Sequence, residues 1–248
     1  MRFPVYLVVG GASLHPHVLF DVLAYASGLW LLTRRRRDHR DIVDTRTRWI
    51  VSAAAVIGGL IGSHLLFAVE DLATLQLVGS EPMRALEGKT IIGGLIGGLL
   101  AVEFVKRRLG VTTATGDLLV VPLLAGIAIG RIGCFLTGLD DGTSGIATSL
   151  PWGVDFGDGI PRHPTQLYEI VFLLMLTLVV ARVTSQPHAA GDAFKIFLLG
   201  YLAFRFLVDF LKPAMRVGGL SVLQWTCVVV IAYYAPHVPR LLAEVRRG

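Results

Sequence analysis

The chain has 248 residues, 54% of them apolar and only 17% charged, with a mean hydropathy of +0.66. A soluble domain of average composition carries about 25% charged residues, so too little charge remains here to cover a soluble surface, and the apolar content excludes disorder. The net charge of +5 lies mainly in loops, which argues against a nucleic-acid face. The two cysteines, Cys134 and Cys227, cannot build a disulfide framework, and no Cys/His spacing suits zinc.

In chain order, the apolar run at 3–9 is short for a signal peptide, and no small-residue cleavage site follows it cleanly. It is expected to be retained as an interfacial arm. Apolar stretches suited to membrane spans follow at 18–33, 49–69, 90–105, 117–135, 166–181, 193–211 and 220–235. They predict an all-α integral membrane protein with seven spans, or six if one is re-entrant, in a single domain over 1–248. Helices satisfy every backbone group inside lipid, and the ten-residue alternation of a β-barrel is missing.

Basic loop residues set the orientation. With seven spans, one side collects Arg34, Arg35, Arg36, Arg37, Arg40, Arg46, Arg48, Lys106, Arg107, Arg108, Arg182, Arg240, Arg246 and Arg247. The other side holds Arg2, Arg84, Lys89, Arg162, Lys212 and Arg216. The tail is therefore expected to be cytoplasmic and the N-terminus outside. Trp30, Trp49, Trp152 and Trp225 fit interfacial belts. Glycines four apart, Gly58 with Gly62, Gly93 with Gly97, Gly94 with Gly98 and Gly126 with Gly130, permit close helix approach. Gly93 and Gly94, at the start of a span, also allow a lipid head group to reach the backbone.

Ionisable residues inside spans are costly and point to function. Arg131, in Gly130-Arg131-Ile132-Gly133, lies near the outer end of its helix. It is read either as a bidentate phosphate ligand or as part of a structural ion pair. Arg205 and Asp209 stand four apart and share a face, so Asp209 either orients Arg205 toward an anion or closes a self-contained pair. The run Arg162-His163-Pro164-Thr165-Gln166-Leu167-Tyr168-Glu169 opens the fifth span. Its His163, Gln166 and Glu169, spaced by three, offer a base, hydrogen-bond donors and a carboxylate; helix capping and anchoring is the plainer alternative. Asp117 is read as a cap for its own helix. Asp21, Tyr25 and His64 are read as cavity-lining or as satisfied interior polar groups. Glu103 is expected to pair with Lys106 or Arg107, and Cys134 to serve as a small packing residue.

These motifs, with Gly93-Gly94-Leu95-Ile96-Gly97, Tyr201 through Phe210, Gly219-Leu220-Ser221 and Gln224-Trp225, run in order along most of the chain. Taken together they resemble the prolipoprotein diacylglyceryl transferase family. The resemblance implies a bacterial inner-membrane, multi-pass enzyme that needs no cofactor and no metal. It moves diacylglycerol from phosphatidylglycerol, or a similar anionic phospholipid, to the lipobox cysteine of a prolipoprotein signal peptide. Glycerol phosphate leaves and a thioether forms. Arg131 and Arg205 match the family's essential arginines. The implied catalytic set is Arg131, Arg205, His163 and Glu169. The implied substrate-binding set is Gly93, Gly94, Gln166, Tyr168, Asp209 and Tyr25.

Three departures accompany the resemblance. Ile92 stands where the family often has His. Cys134, Thr137 and Leu139 stand where it has Asn, Asn and Glu, with Asp140 or Asp141 as a substitute carboxylate. Leu60 replaces a common Arg. Such changes fit a paralogue with a different acceptor, or a phospholipid-binding protein without catalysis.

Overall fold

A computed structural model describes residues 3–9, 12–38, 44–70 and 88–247. Arg2, Arg40 and Arg84 of the charge count lie outside the described residues. Each predicted apolar stretch contains a helix, although 220–235 opens in a strand at Leu220–Ser221 and its helix starts at Val222. The helices are α1 (Pro16–Asp38), α2 (Thr45–Glu70), α3 (Ile91–Arg108), α4 (Val120–Thr137), α5 (Thr165–Thr184), α6 (Asp192–Val208) and α7 (Val222–Tyr234). A 3₁₀ turn joins α7 to α8 (Val238–Arg247). Among the described residues the strands form two-stranded antiparallel pairs: β1 (Leu7–Val9) with β2 (Ala12–Leu14), β3 (Val154–Asp155) with β4 (Pro161–Arg162), and β5 (Arg216–Val217) with β6 (Leu220–Ser221). Among the described residues, four helical runs are long and apolar enough to cross a membrane: Thr45–Glu70, Gly116–Asp141, Thr165–Thr184 and Val222–Arg247.

The chain folds as two compact units, one made of Met1–His39, Ala114–Ala214 and Val228–Gly248, the other of Arg40–Thr113 and Met215–Cys227. In the first, α1 packs on α4, α4 on α5, and α5 on α6. Its core is helical in period: Leu173, Leu176, Val180 and Val183 of α5 are buried with Phe197, Leu198, Tyr201 and Leu202 of α6. The opposite face of α5 exposes Val171, Leu174, Met175 and Leu178. Such an outward apolar stripe suits lipid rather than water.

Asp117 corrects one expectation. Its carboxylate does not cap its own helix; it accepts the backbone N–H of Gly191 at 2.6 Å and of Phe194 at 2.9 Å. It thus satisfies orphan donors at the start of α6. Asp192, fully buried there, holds Arg240 of α8 at 2.6 Å and Lys195 at 3.1 Å.

In the second unit α2 and α3 meet along glycine. A Cβ on Gly62 would fall 2.4 Å from the Gly93 carbonyl oxygen, and one on Gly97 would fall 2.3 Å from that of Gly58. Backbone therefore lies against backbone. Gly93 is fixed by this seam, whereas a Cβ on Gly94 would make ordinary contact, 3.6 Å from Gly59 O. Thr90 caps α3 by accepting the Gly93 N–H at 3.2 Å, and its own N–H donates to Ser63 Oγ at 3.1 Å. Ser221 and Gln224 form a reciprocal capping box at the start of α7: Gln224 N donates to Ser221 Oγ at 3.0 Å, and Ser221 N to Gln224 Oε1 at 2.9 Å. Glu103 pairs with Lys106 at 2.8 Å, as the spacing predicts.

Gly62→Val overfills the seam and is expected to destabilise the protein by about 1–3 kcal/mol, read as a lower Tm in detergent. Gly126→Ala is the matched control, because its Cβ would lie 3.5 Å from Ala24 O; its Tm is expected to stay at the wild-type value.

Candidate functional site

The first unit gathers three charged residues from three helices. Arg131 of α4, Glu169 of α5 and Arg205 of α6 are 6%, 1% and 6% exposed. Arg205 Nη1 donates to Glu169 Oε2 at 3.0 Å, and Arg131 Nε lies 2.9 Å from the same oxygen. The Arg131 contact is an ion pair without hydrogen-bond alignment. Tyr201, one turn before Arg205, donates its hydroxyl to Glu169 Oε1 at 2.6 Å. A single carboxylate thus organises two guanidinium groups and a phenol. Two cations facing one anion leave an excess of positive charge, suited to a phosphate.

Glu169 is the carboxylate facing Arg205 across the helices. Asp209, the residue expected to orient Arg205, is buried at the start of the 3₁₀ turn Asp209–Leu211 and adds its charge to the surroundings of Arg205. Lys212 follows that turn. Loss of water around it, then the charges of Arg205 and Arg131, push its amine down to about 7.

His163, Gln166 and Glu169 share a sequence spacing, yet each has its own partners. His163 Nδ1 meets Tyr168 Oη at 3.2 Å, and the exposed Trp152 donates Nε1–H to the same hydroxyl at 2.9 Å. Gln166, buried, donates Nε2–H to Thr143 Oγ1 at 3.1 Å. Thr165 Oγ1 donates to the Thr143 carbonyl at 2.6 Å. Tyr25 is 73% exposed on α1, so it lines no enclosed cavity within its unit. His64 is a satisfied polar group, with Nδ1 2.8 Å from Gly88 O.

A further cluster was not legible as a unit from spacing. His17, at the start of α1, places Nδ1 3.0 Å from Asp141 Oδ1 and Nε2 3.5 Å from Asp21 Oδ2. Thr143 Oγ1 donates to Asp141 Oδ2. Cys134 stands between this cluster and Arg131, whose Nη1 approaches its sulfur at 3.7 Å. Cys134 is therefore more than packing. The hydrogen bond to Asp141, then the one to Cys134, raise the His17 imidazole to about 10. Of the two carboxylates weighed for this segment, Asp141 turns inward while Asp140 is exposed. The one signal for the cluster was His17 and Asp21 at helical i,i+4 spacing.

The family profile of prolipoprotein diacylglyceryl transferase matches residues 4–237. The chain belongs to this family. It is 32% identical to the phosphatidylglycerol–prolipoprotein diacylglyceryl transferase of Bordetella parapertussis, over 92% of this chain and 91% of that protein. It is 32% identical to the protein of the same name from Nitratidesulfovibrio vulgaris, over 88% and 84%. With that from Pseudomonas aeruginosa it shares 29%, over 88% and 84%. Within this diacylglyceryl transferase family member, Arg131, Glu169 and Arg205 form one buried group rather than separate candidates.

Glu169→Ala strands two buried guanidinium groups, and a loss of about 3–5 kcal/mol is expected, against about 1.5–3 kcal/mol for Tyr201→Phe. The order of the two Tm values in detergent checks this. Lys212 supplies a pH dependence. Its folded pKa of about 7 lies below the ordinary 10.5, so between these values the unfolded chain binds more protons and stability rises with pH. Below about pH 7 the full penalty of charging Lys212 is present. Lys212→Met is expected to flatten the rise in Tm between pH 7 and 10.

Proposed function

We propose that this chain is a phosphatidylglycerol–prolipoprotein diacylglyceryl transferase of a bacterial inner membrane, with residues 1–248 acting as one transferase domain. The buried meeting of Arg131, Glu169 and Arg205 carries the reading, and the names of the relatives support it. Seven spans with an outside N-terminus and a cytoplasmic tail complete it. The asymmetry of basic loop residues supports that topology. So do the lengths of α1, α3 and α6, at 23, 18 and 17 residues.

In this reading the two guanidinium groups hold the donor phosphate and stabilise charge as it departs. Glu169 and Tyr201 keep the arginines aimed before substrate arrives, which limits reorganisation during the reaction. The sulfur of the lipobox cysteine forms a bond to the diacylglycerol carbon as that carbon's bond to the phosphate oxygen breaks. Glycerol phosphate leaves with the electron pair. The thiol proton passes to a base, the role assigned to His163, since a thiolate is the competent nucleophile. Gly94, where a Cβ would meet α2 only at ordinary contact distance, is the glycine assigned to head-group approach. Gln166, Tyr168 and Asp209 position groups around the phosphate, while Gly93 and Tyr25 contribute helix approach and a lipid-facing ring.

A different acceptor is the second reading. It is favoured by Ile92, fully enclosed where the family often has His, and by Cys134 beside Arg131. A transfer assay with purified protein, phosphatidylglycerol nanodiscs and a lipobox peptide separates the two. Glycerol phosphate release together with a diacylglyceryl mass shift on the peptide is expected. Arg131→Ala and Arg205→Ala are each expected to lower turnover about 100-fold or more while remaining folded, because Glu169 keeps its other partners. Release without peptide modification assigns another acceptor. Neither product from folded wild-type protein overturns the transferase reading.

A further inference from the structure

Outside the arginine cluster, one group of side chains has the composition and disposition of a metal site. His17, Cys134 and Asp141 each offer a ligand atom, and these atoms lie within 4.8 Å of one another. Zinc bonds of about 2.0–2.3 Å to nitrogen, oxygen and sulfur put ligand atoms roughly 3.3–3.7 Å apart in a tetrahedron. His17 Nδ1 and Asp141 Oδ1 are already 3.0 Å apart, so modest side-chain rotation closes the set.

The surroundings are those that metal ligands need. The far nitrogen of His17, Nε2, faces Asp21 Oδ2 at 3.5 Å. A carboxylate behind a ligating imidazole fixes its tautomer and raises its basicity. The far oxygen of Asp141, Oδ2, accepts the Thr143 hydroxyl, which leaves Oδ1 turned toward His17. Arg131 Nη1 lies 3.7 Å from the Cys134 sulfur, and Glu169, which it shares with Arg205, offsets part of its charge.

We infer that His17, Cys134 and Asp141 form a three-ligand site for a zinc-class divalent cation, with Asp21 and Thr143 orienting the ligands. Three protein ligands of mixed nitrogen, sulfur and oxygen leave a fourth position for water or an anionic oxygen. A thiolate and a carboxylate match the charge of a divalent ion. The inference departs from the sequence reading of no metal. The three residues are too far apart in the chain for a spacing rule to unite them.

The test uses the full chain without an affinity tag, in detergent, stripped with a chelator and titrated with Co²⁺ as the probe. One equivalent per chain is expected, with visible d–d bands and a thiolate-to-cobalt charge-transfer band, all displaced by Zn²⁺. Cys134→Ser is expected to lose the charge-transfer band. Asp21→Asn keeps all three ligands and is expected to weaken Co²⁺ binding about 10–100-fold. A charge-transfer band that survives in folded Cys134→Ser, or no saturable binding at one equivalent to the wild type, overturns the site. A second readout needs no variant. Zn²⁺ is expected to slow maleimide alkylation of Cys134 in the wild type, followed by mass spectrometry with Cys227 as the internal reference. Alkylation of Cys134 that is unchanged by Zn²⁺ overturns the site as well.

Discussion

One carboxylate governs the first unit. Glu169 is met by Arg131 from α4 and by Tyr201 and Arg205 from α6. Each of these groups would be costly alone in a low-dielectric interior. Together they hold α4, α5 and α6 in one register, because a slip of any helix strands a charge. The constraint is stricter in lipid, where no water is at hand to rescue an unpaired group. The same arrangement leaves positive charge in excess, so the groups that fix the register are also chemically suited to an anion.

Helix α6 shows how that register is supported. Asp117 caps its first turn and Asp192 ties that turn to α8. Arg205 lies thirteen residues farther on, about 20 Å along the axis at 1.5 Å per residue. The helix is anchored at one end and carries Arg205 of the buried charge cluster near the other. In the second unit the bond between α2 and α3 is of another kind. Lipid provides little hydrophobic drive for helix association. There the backbones approach until glycine is required. The two devices, polar convergence and glycine contact, answer the same lack of hydrophobic drive in two ways.

The residues of the arginine cluster were each visible in the sequence, because an ionisable group within an apolar run stands out. Their pairing was not. Arg205 has a carboxylate four residues on, Asp209, which local spacing makes visible; Glu169, which Arg205 also meets, stands 36 residues away. Asp117 was legible as a cap but not as the cap of a helix start 74 residues on. His17 and Asp141 were hidden for the same reason. Neither lies deep in an apolar run, and their proximity depends on α1 packing against α4.

Hydropathy is a property of neighbouring residues, and so the seven helical stretches, the basic loops and the costly polar positions follow from the sequence alone. Helical period also determines which residues share a face, as with Tyr201 and Arg205. It does not say which helix that face meets. Only the tertiary structure decided that Arg131 and Arg205 converge on Glu169, that Gly62 lies against Gly93, and that Cys134 joins His17 and Asp141. Those contacts depend on the register between helices, which is set by summed packing and by the penalty for leaving any buried charge unpaired.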